Sequence, residues 1–143
     1  MRKTIFILTL CAGLISCGNN KTKNTGNHTS TSIKDGIEVL YFHGKKRCAT
    51  CLAIEKNTKE VIETEFAEAL KLGKLVFKSL DIGENESLSD KYEITWSSLV
   101  LVDYDDDKED TENLTEFAFS NARTAPDKFK AELKKKIEEQ LND

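Results

Sequence analysis

Apolar residues along this chain fall into separate blocks, each with its own period. Near the N-terminus "TIFILTLCAGLI" is apolar for about a dozen residues, short of the ~20 that a membrane-spanning helix needs. From Gly18 to about Asp35 the chain is polar and aperiodic, with Ile33 as its one large apolar residue; it reads as a disordered tether. "GIEVLYFHG" then carries Val39, Leu40, Tyr41 and Phe42 in an unbroken run, the signature of a strand covered on both faces. A helix is predicted from near Cys48, because Ile54, Thr58, Val61, Ile62, Phe66, Ala69 and Leu70 recur at threes and fours, with Gly73 as its stop. "KLVFKSLDI" is a second strand, rich in branched and aromatic residues. "ENESLSDKYEI" reads as a short helix capped by Asn85 or Ser87.

"SSLVLVDY" is the third strand. The polar "DDDKEDTE" followed by "NLTEFAFS" suggests a hairpin with a long loop, its second strand in the latter segment. The last helix is announced by Thr124 three residues before Asp127 and by Pro126 in its first turn. Phe129, Leu133, Ile137 and Leu141 then recur every four residues, a narrow stripe to lie on a sheet. The predicted order β-α-β-α-β-β-α describes an α/β fold with a mixed four-stranded sheet and flanking helices. A chain of 143 residues has room for one such domain.

The N-terminal block changes how the four cysteines are read. "MRK" and the apolar run that follows have the form of a secretory signal. The adjoining "LISCGNN", with Leu14, Ser16 and Cys17 in register, resembles the lipobox of bacterial lipoproteins. That resemblance implies cleavage before Cys17, diacylglycerol on its thiol, and acyl chains that anchor the protein to a membrane at about 0.8 kcal/mol per buried methylene. The expected layout is a signal peptide over 1–16, a lipidated Cys17 and tether over 17–35, and a folded domain over 36–143. The expected location is the cell envelope, on the periplasmic face of the inner or outer membrane. Cys11 is then lost and Cys17 becomes a thioether, so Cys48 and Cys51 alone remain as thiols. In an oxidising compartment such a pair forms a disulfide or is actively kept reduced. The formal charge of −4 becomes −6 once Arg2 and Lys3 are subtracted, an acidic balance that argues against nucleic acid as a partner.

Cys48-Ala-Thr-Cys51 is open to three readings: a redox pair, part of a metal site, or two buried thiols. At the first turn of a helix a cysteine faces unpaired backbone N–H groups and the positive end of the dipole. Lys45, Lys46 and Arg47 add positive charge just before it. Both influences favour thiolate, making Cys48 the nucleophile and Cys51, one turn on, the resolving thiol. The i, i+3 spacing places both sulfurs on one helix face.

A strand, Cys-x-x-Cys at a helix start, and then "GKLVFKSLDIGENESLSDKYEITWSSLVLVD" resemble the thioredoxin family over roughly residues 36 to 142. The resemblance implies a thioredoxin-like fold and a protein dithiol or disulfide as partner, including a membrane electron donor or acceptor. More narrowly, the lipobox, "YFHGKKRCATC" and "SSLVLVD" resemble the small Bacteroidetes lipoproteins known as nitrophenyl-compound nitroreductase subunits of the arsenic-operon F type. The chain itself carries no flavin or nicotinamide signature such as G-x-G-x-x-G, and no cofactor is expected in it. It departs from the thioredoxin pattern where a cis-proline should face the cysteines: counting from Tyr92, Ser98 stands there. A cis bond before a residue other than proline costs about 3–4 kcal/mol, so a trans bond is expected. The family's acid on the first strand is also missing, Tyr41 and Phe42 taking its place.

The rival reading makes Cys48, Cys51 and His43 a carrier site for copper, zinc or arsenite. Structural zinc needs four ligands, and the domain offers no second Cys-x-x-Cys and no second histidine. A noncatalytic redox-partner subunit is the third alternative. His43 is a candidate to tune the thiolate or a plain loop residue. Trp96, two residues before Ser98, is a candidate partner platform or a packed indole. The run Asp103, Asp105, Asp107, Glu109, Asp110 fits no EF-hand frame, because Lys108 or Asp110 falls where glycine is required.

Overall fold

The computed structural model describes residue 33 and residues 35–106 and 108–142. The expected signal peptide, Cys17 and nearly all of the tether lie outside the described residues. β1 (Asp35–His43) is preceded by Ile33, which is buried. It is followed by α1 (Ala49–Glu65), the short α2 (Ala67–Lys71), β2 (Leu75–Asp81) and α3 (Glu86–Lys91). The chain continues through β3 (Ser98–Asp105), β4 (Lys108–Asn113), α4 (Thr115–Asn121) and α5 (Pro126–Leu141).

The four strands form one mixed sheet in the order β2-β1-β3-β4. β1 runs parallel to β2 and antiparallel to β3, and β3 is antiparallel to β4. The parallel pair is joined by α1 and α2, the crossover such a pair requires. β1 is central, which explains its apolar run: alternate residues serve two different cores. Ile37, Val39 and Tyr41 join Ile54, Val61 and Ile62 of α1 with Phe129, Leu133 and Ile137 of α5. Leu40 and Phe42 join Val100 and Val102 of β3 with Leu88 of α3 and Tyr92 at its C-terminal end. Helices therefore cover both faces of a mixed four-stranded sheet, and the fold is thioredoxin-like, as expected.

Two expectations need correction. α1 does not run through to Gly73: it stops at Glu65, Phe66 leaves helical geometry at φ −122°, and α2 makes a separate turn. Gly73, at φ +72°, does end the helical segment, a left-handed conformation that glycine adopts without strain. The hairpin also differs. Its second strand is the polar Lys108–Asn113, with Asp105 paired to Lys108 and Asp106 at φ 54° in the tight turn. "NLTEFAFS" is mainly α4, which is seated by Ala118 and its caps Leu114 and Ala122, with Phe117 stacked on Phe129 at 5.5 Å. An edge strand with exposed side chains needs no apolar alternation, and a helix of seven residues is too short to show its period.

Candidate functional site

The loop from Gly44 to Arg47 carries the chain off the end of β1 and delivers Cys48 as the N-cap of α1. Cys48 has extended backbone geometry, φ −75° and ψ 165°, as an N-cap requires. Its sulfur accepts a hydrogen bond from the Cys51 backbone N–H at 3.1 Å. A helix N-terminus leaves such N–H groups unpaired, so one of them is directed at the sulfur that would carry negative charge after reduction.

Cys48 and Cys51 are joined in a disulfide, with Cα atoms 5.0 Å apart. Their environments differ. Cys48 is exposed, whereas Cys51 is 6% exposed. Thiol exchange needs an attacking group to reach one sulfur while the other leaves. This pair presents Cys48 to solvent and shelters Cys51.

The floor beneath the disulfide is polar. Tyr41, fully buried on β1, donates its hydroxyl hydrogen to the Cys51 carbonyl at 2.9 Å. The Arg47 guanidinium lies over the Tyr41 ring, 5.6 Å from its centroid, a cation–π contact. Arg47 is also ion-paired with Glu55 on the second turn of α1. Glu55 accepts a further hydrogen bond from the Ser79 hydroxyl of β2 at 2.5 Å. Burial pulls the Glu55 carboxyl up, but the Ser79 hydroxyl and the Arg47 guanidinium outweigh it and hold the group below its ordinary value. Burial raises the Tyr41 phenol above its ordinary value despite the opposing pull of Arg47.

The remaining sequence-predicted residues are placed unevenly. Lys45 and Lys46 are exposed on the loop, while Arg47 turns inward. His43 ends β1, its ring 5.9 Å from that of Tyr41 and its Nδ1 3.3 Å from the Gly44 carbonyl oxygen. Ser98 is buried, and its hydroxyl donates to the Trp96 carbonyl at 2.9 Å rather than addressing either cysteine. Its neighbour Ser97 brings Oγ to 3.9 Å from Cys51 Sγ. The peptide bonds of the described residues are all trans, as expected at Ser98. Trp96, the residue before Ser97, is 57% exposed, with Phe119 of α4 5.2 Å away ring to ring. Among the described residues, no group of three or more His, Cys, Asp or Glu side chains is arranged to hold a metal ion.

Sequence reasoning did not find Glu55, Ser79 or Ser97. Glu55 lies four residues after Cys51, hence on the same helix face, and that spacing was the one available signal. Ser79 and Ser97 reach the site through strand register and loop path, which no local pattern encodes.

No protein-family model matches the chain, and no curated protein matches it. Among solved structures it is similar to a thioredoxin of Fasciola hepatica, at 21% identity over 75% of this chain and 83% of that one, with a TM-score of 0.45. It is also similar to chloroplastic thioredoxin z, at 20% identity over 61% of this chain and 79% of that one, TM-score 0.40. A malarial protein matches at 16% identity over 60% of this chain and 94% of that one, TM-score 0.39. The fold rests on the strand order and helix placement described above. A cysteine pair at disulfide distance on this fold is suited to thiol–disulfide chemistry.

Proposed function

We propose that the protein exchanges dithiol and disulfide with a protein partner through Cys48 and Cys51. The supporting observation is the asymmetry of the pair: an exposed sulfur at a helix N-cap, joined to a sheltered one a turn later. In the reducing direction, the Cys48 thiolate attacks a partner disulfide and displaces one partner thiolate. Cys51 then attacks Cys48 Sγ, closing the ring disulfide and releasing the second partner sulfur as thiolate. Two electrons pass to the partner, whose thiolates take up protons, and the two cysteines become oxidised. The reverse sequence oxidises a partner dithiol. Trp96 and Phe119 offer the partner an apolar surface beside the reacting sulfurs.

The reading includes export and a lipid anchor at Cys17, supported by the lipobox-like "LISC". In that setting the partner is an envelope protein, supplied with or relieved of electrons through the membrane. The likeness of "YFHGKKRCATC" to the nitroreductase-subunit lipoproteins supports service to a reductase system. Trapping tests the exchange. Cys51→Ser should accumulate a mixed disulfide through Cys48, whereas Cys48→Ser should accumulate little. Equal trapping by both variants, or none by either, removes the assigned roles.

A further inference from the structure

Three cations precede the nucleophile, and only Arg47 is engaged. Its guanidinium folds back onto the Tyr41 ring, whose hydroxyl donates to the Cys51 carbonyl, and against Glu55. Arg47 Nε is buried there without a hydrogen-bond partner, an arrangement that costs free energy and needs a strong opposing attraction. Glu55 provides it, itself steadied by the Ser79 hydroxyl. The pair lies largely out of solvent, with the side chains of Arg47 and Glu55 21% and 27% exposed. Lys45 and Lys46 stand in water, where ions screen charges beyond about 8–10 Å.

From this placement we infer that Glu55 is a positioning residue that acts on Cys48 through Arg47: it is the counter-charge of the inward-facing cation next in sequence to Cys48 and so limits how strongly that cation supports the thiolate at the helix N-cap. The inference rests on the exchange function proposed above. Its consequence is a tempered disulfide. A more stable thiolate makes the reduced form more favourable and the disulfide more oxidising; a half-buried acid paired to Arg47 works against that. The other charged or titratable groups around the pair are Tyr41 and His43 on β1, Asp81 at the matching end of β2, and Lys45 and Lys46 on the loop. None of them forms an ion pair with Arg47 or Glu55, although His43 favours the Glu55 charge and Tyr41 the Arg47 charge, so removing either partner leaves the other without its main counter-charge.

The test uses reduced protein, iodoacetamide as probe, and the pH midpoint of Cys48 alkylation. It compares the parent, Glu55→Gln, Glu55→Asp, Arg47→Gln and the Arg47→Gln/Glu55→Gln double variant, alongside each protein's equilibrium with glutathione. Glu55→Gln should lower the midpoint by about half a unit or more, a modest part of the 1–3 units that a close opposite charge produces, and make the disulfide easier to reduce. Arg47→Gln should raise the midpoint. Glu55→Asp should stay near the parent, and the double variant should lie between the two single ones. Should Glu55→Gln not fold, Arg47→Gln against the double variant isolates the carboxylate, since the double strands no charge: the double's midpoint should be the lower. Midpoints that do not move with Glu55, or that move upward on its loss, overturn the inference. Alkylation needs no partner, so this result stands apart from trapping: the trapping assay can fail while the midpoints shift as expected, and the reverse.

Discussion

Two polar networks are built into this sheet, one on each face of β1. On one, Tyr41, Arg47, Glu55 and Ser79 form a chain that ends on the Cys51 carbonyl. On the opposite face Glu38, also on β1 and 4% exposed, pairs with Lys78 at 2.5 Å. Near it the Tyr92 and Tyr104 hydroxyls meet at 3.1 Å, with Lys91 4.8 Å from the centre of the Tyr92 ring and ion-paired to Glu109. Burial pushes Tyr92 up to about 12 and raises Tyr104 as well. The ingredients are alike: an acid at least half-buried, a cation and tyrosine. The difference is what each network touches. The first is bonded to the backbone of the disulfide turn, and the second ends on side chains with no reactive group among them. Charge is worth the same on either face, but only one face can convert it into reactivity.

The comparison can be broken in order of expected effect. Glu38→Gln should cost the most stability, about 1–3 kcal/mol, because it strands a mostly buried Lys78 cation without its counter-charge. Chemical denaturation should show the loss, while the alkylation midpoint of Cys48 stays at the parent value. A Glu38→Gln protein with an altered midpoint would mean that the two networks communicate through β1. Trp96→Ala should do least to stability, within about 0.5 kcal/mol, since an exposed side chain is removed. Its reaction with glutathione should match the parent, and its reaction with a protein disulfide such as insulin should be slower. Equal loss toward both substrates would place Trp96 in the support of the disulfide rather than in partner contact.

These expectations draw on features the sequence reveals unequally. The central strand, α1 and α5 were legible because each buries large side chains at a regular period: Val39 to Phe42, then Ile54, Val61 and Ile62, then Phe129, Leu133 and Ile137. The cysteine pair was legible because three-residue spacing at a helix start has a direct geometric meaning. β4 was not, since an edge strand takes its hydrogen bonds from one neighbour and leaves Lys108, Glu109, Asp110 and Thr111 in solvent. The segment "NLTEFAFS" was not legible as a helix either, since α4 is only seven residues long and its core contacts fall on Ala118, Phe117 and its caps Leu114 and Ala122. The counter-charge was also hidden: Arg47 and Glu55 are eight residues apart, and only the fold-back of the loop onto the helix joins them. Ser98 was singled out by counting from Tyr92, but the strand's alternation turns it away and puts Ser97 beside Cys51.

The central claim is that the Cys48–Cys51 disulfide is a working couple rather than a structural staple. Its reduction potential, measured by equilibration in graded glutathione buffers, addresses this most directly. A working couple should equilibrate reversibly as a two-electron pair within the span of known exchange proteins, about −120 to −270 mV. A potential below about −300 mV, the range of disulfides that serve structure alone, would contradict the account.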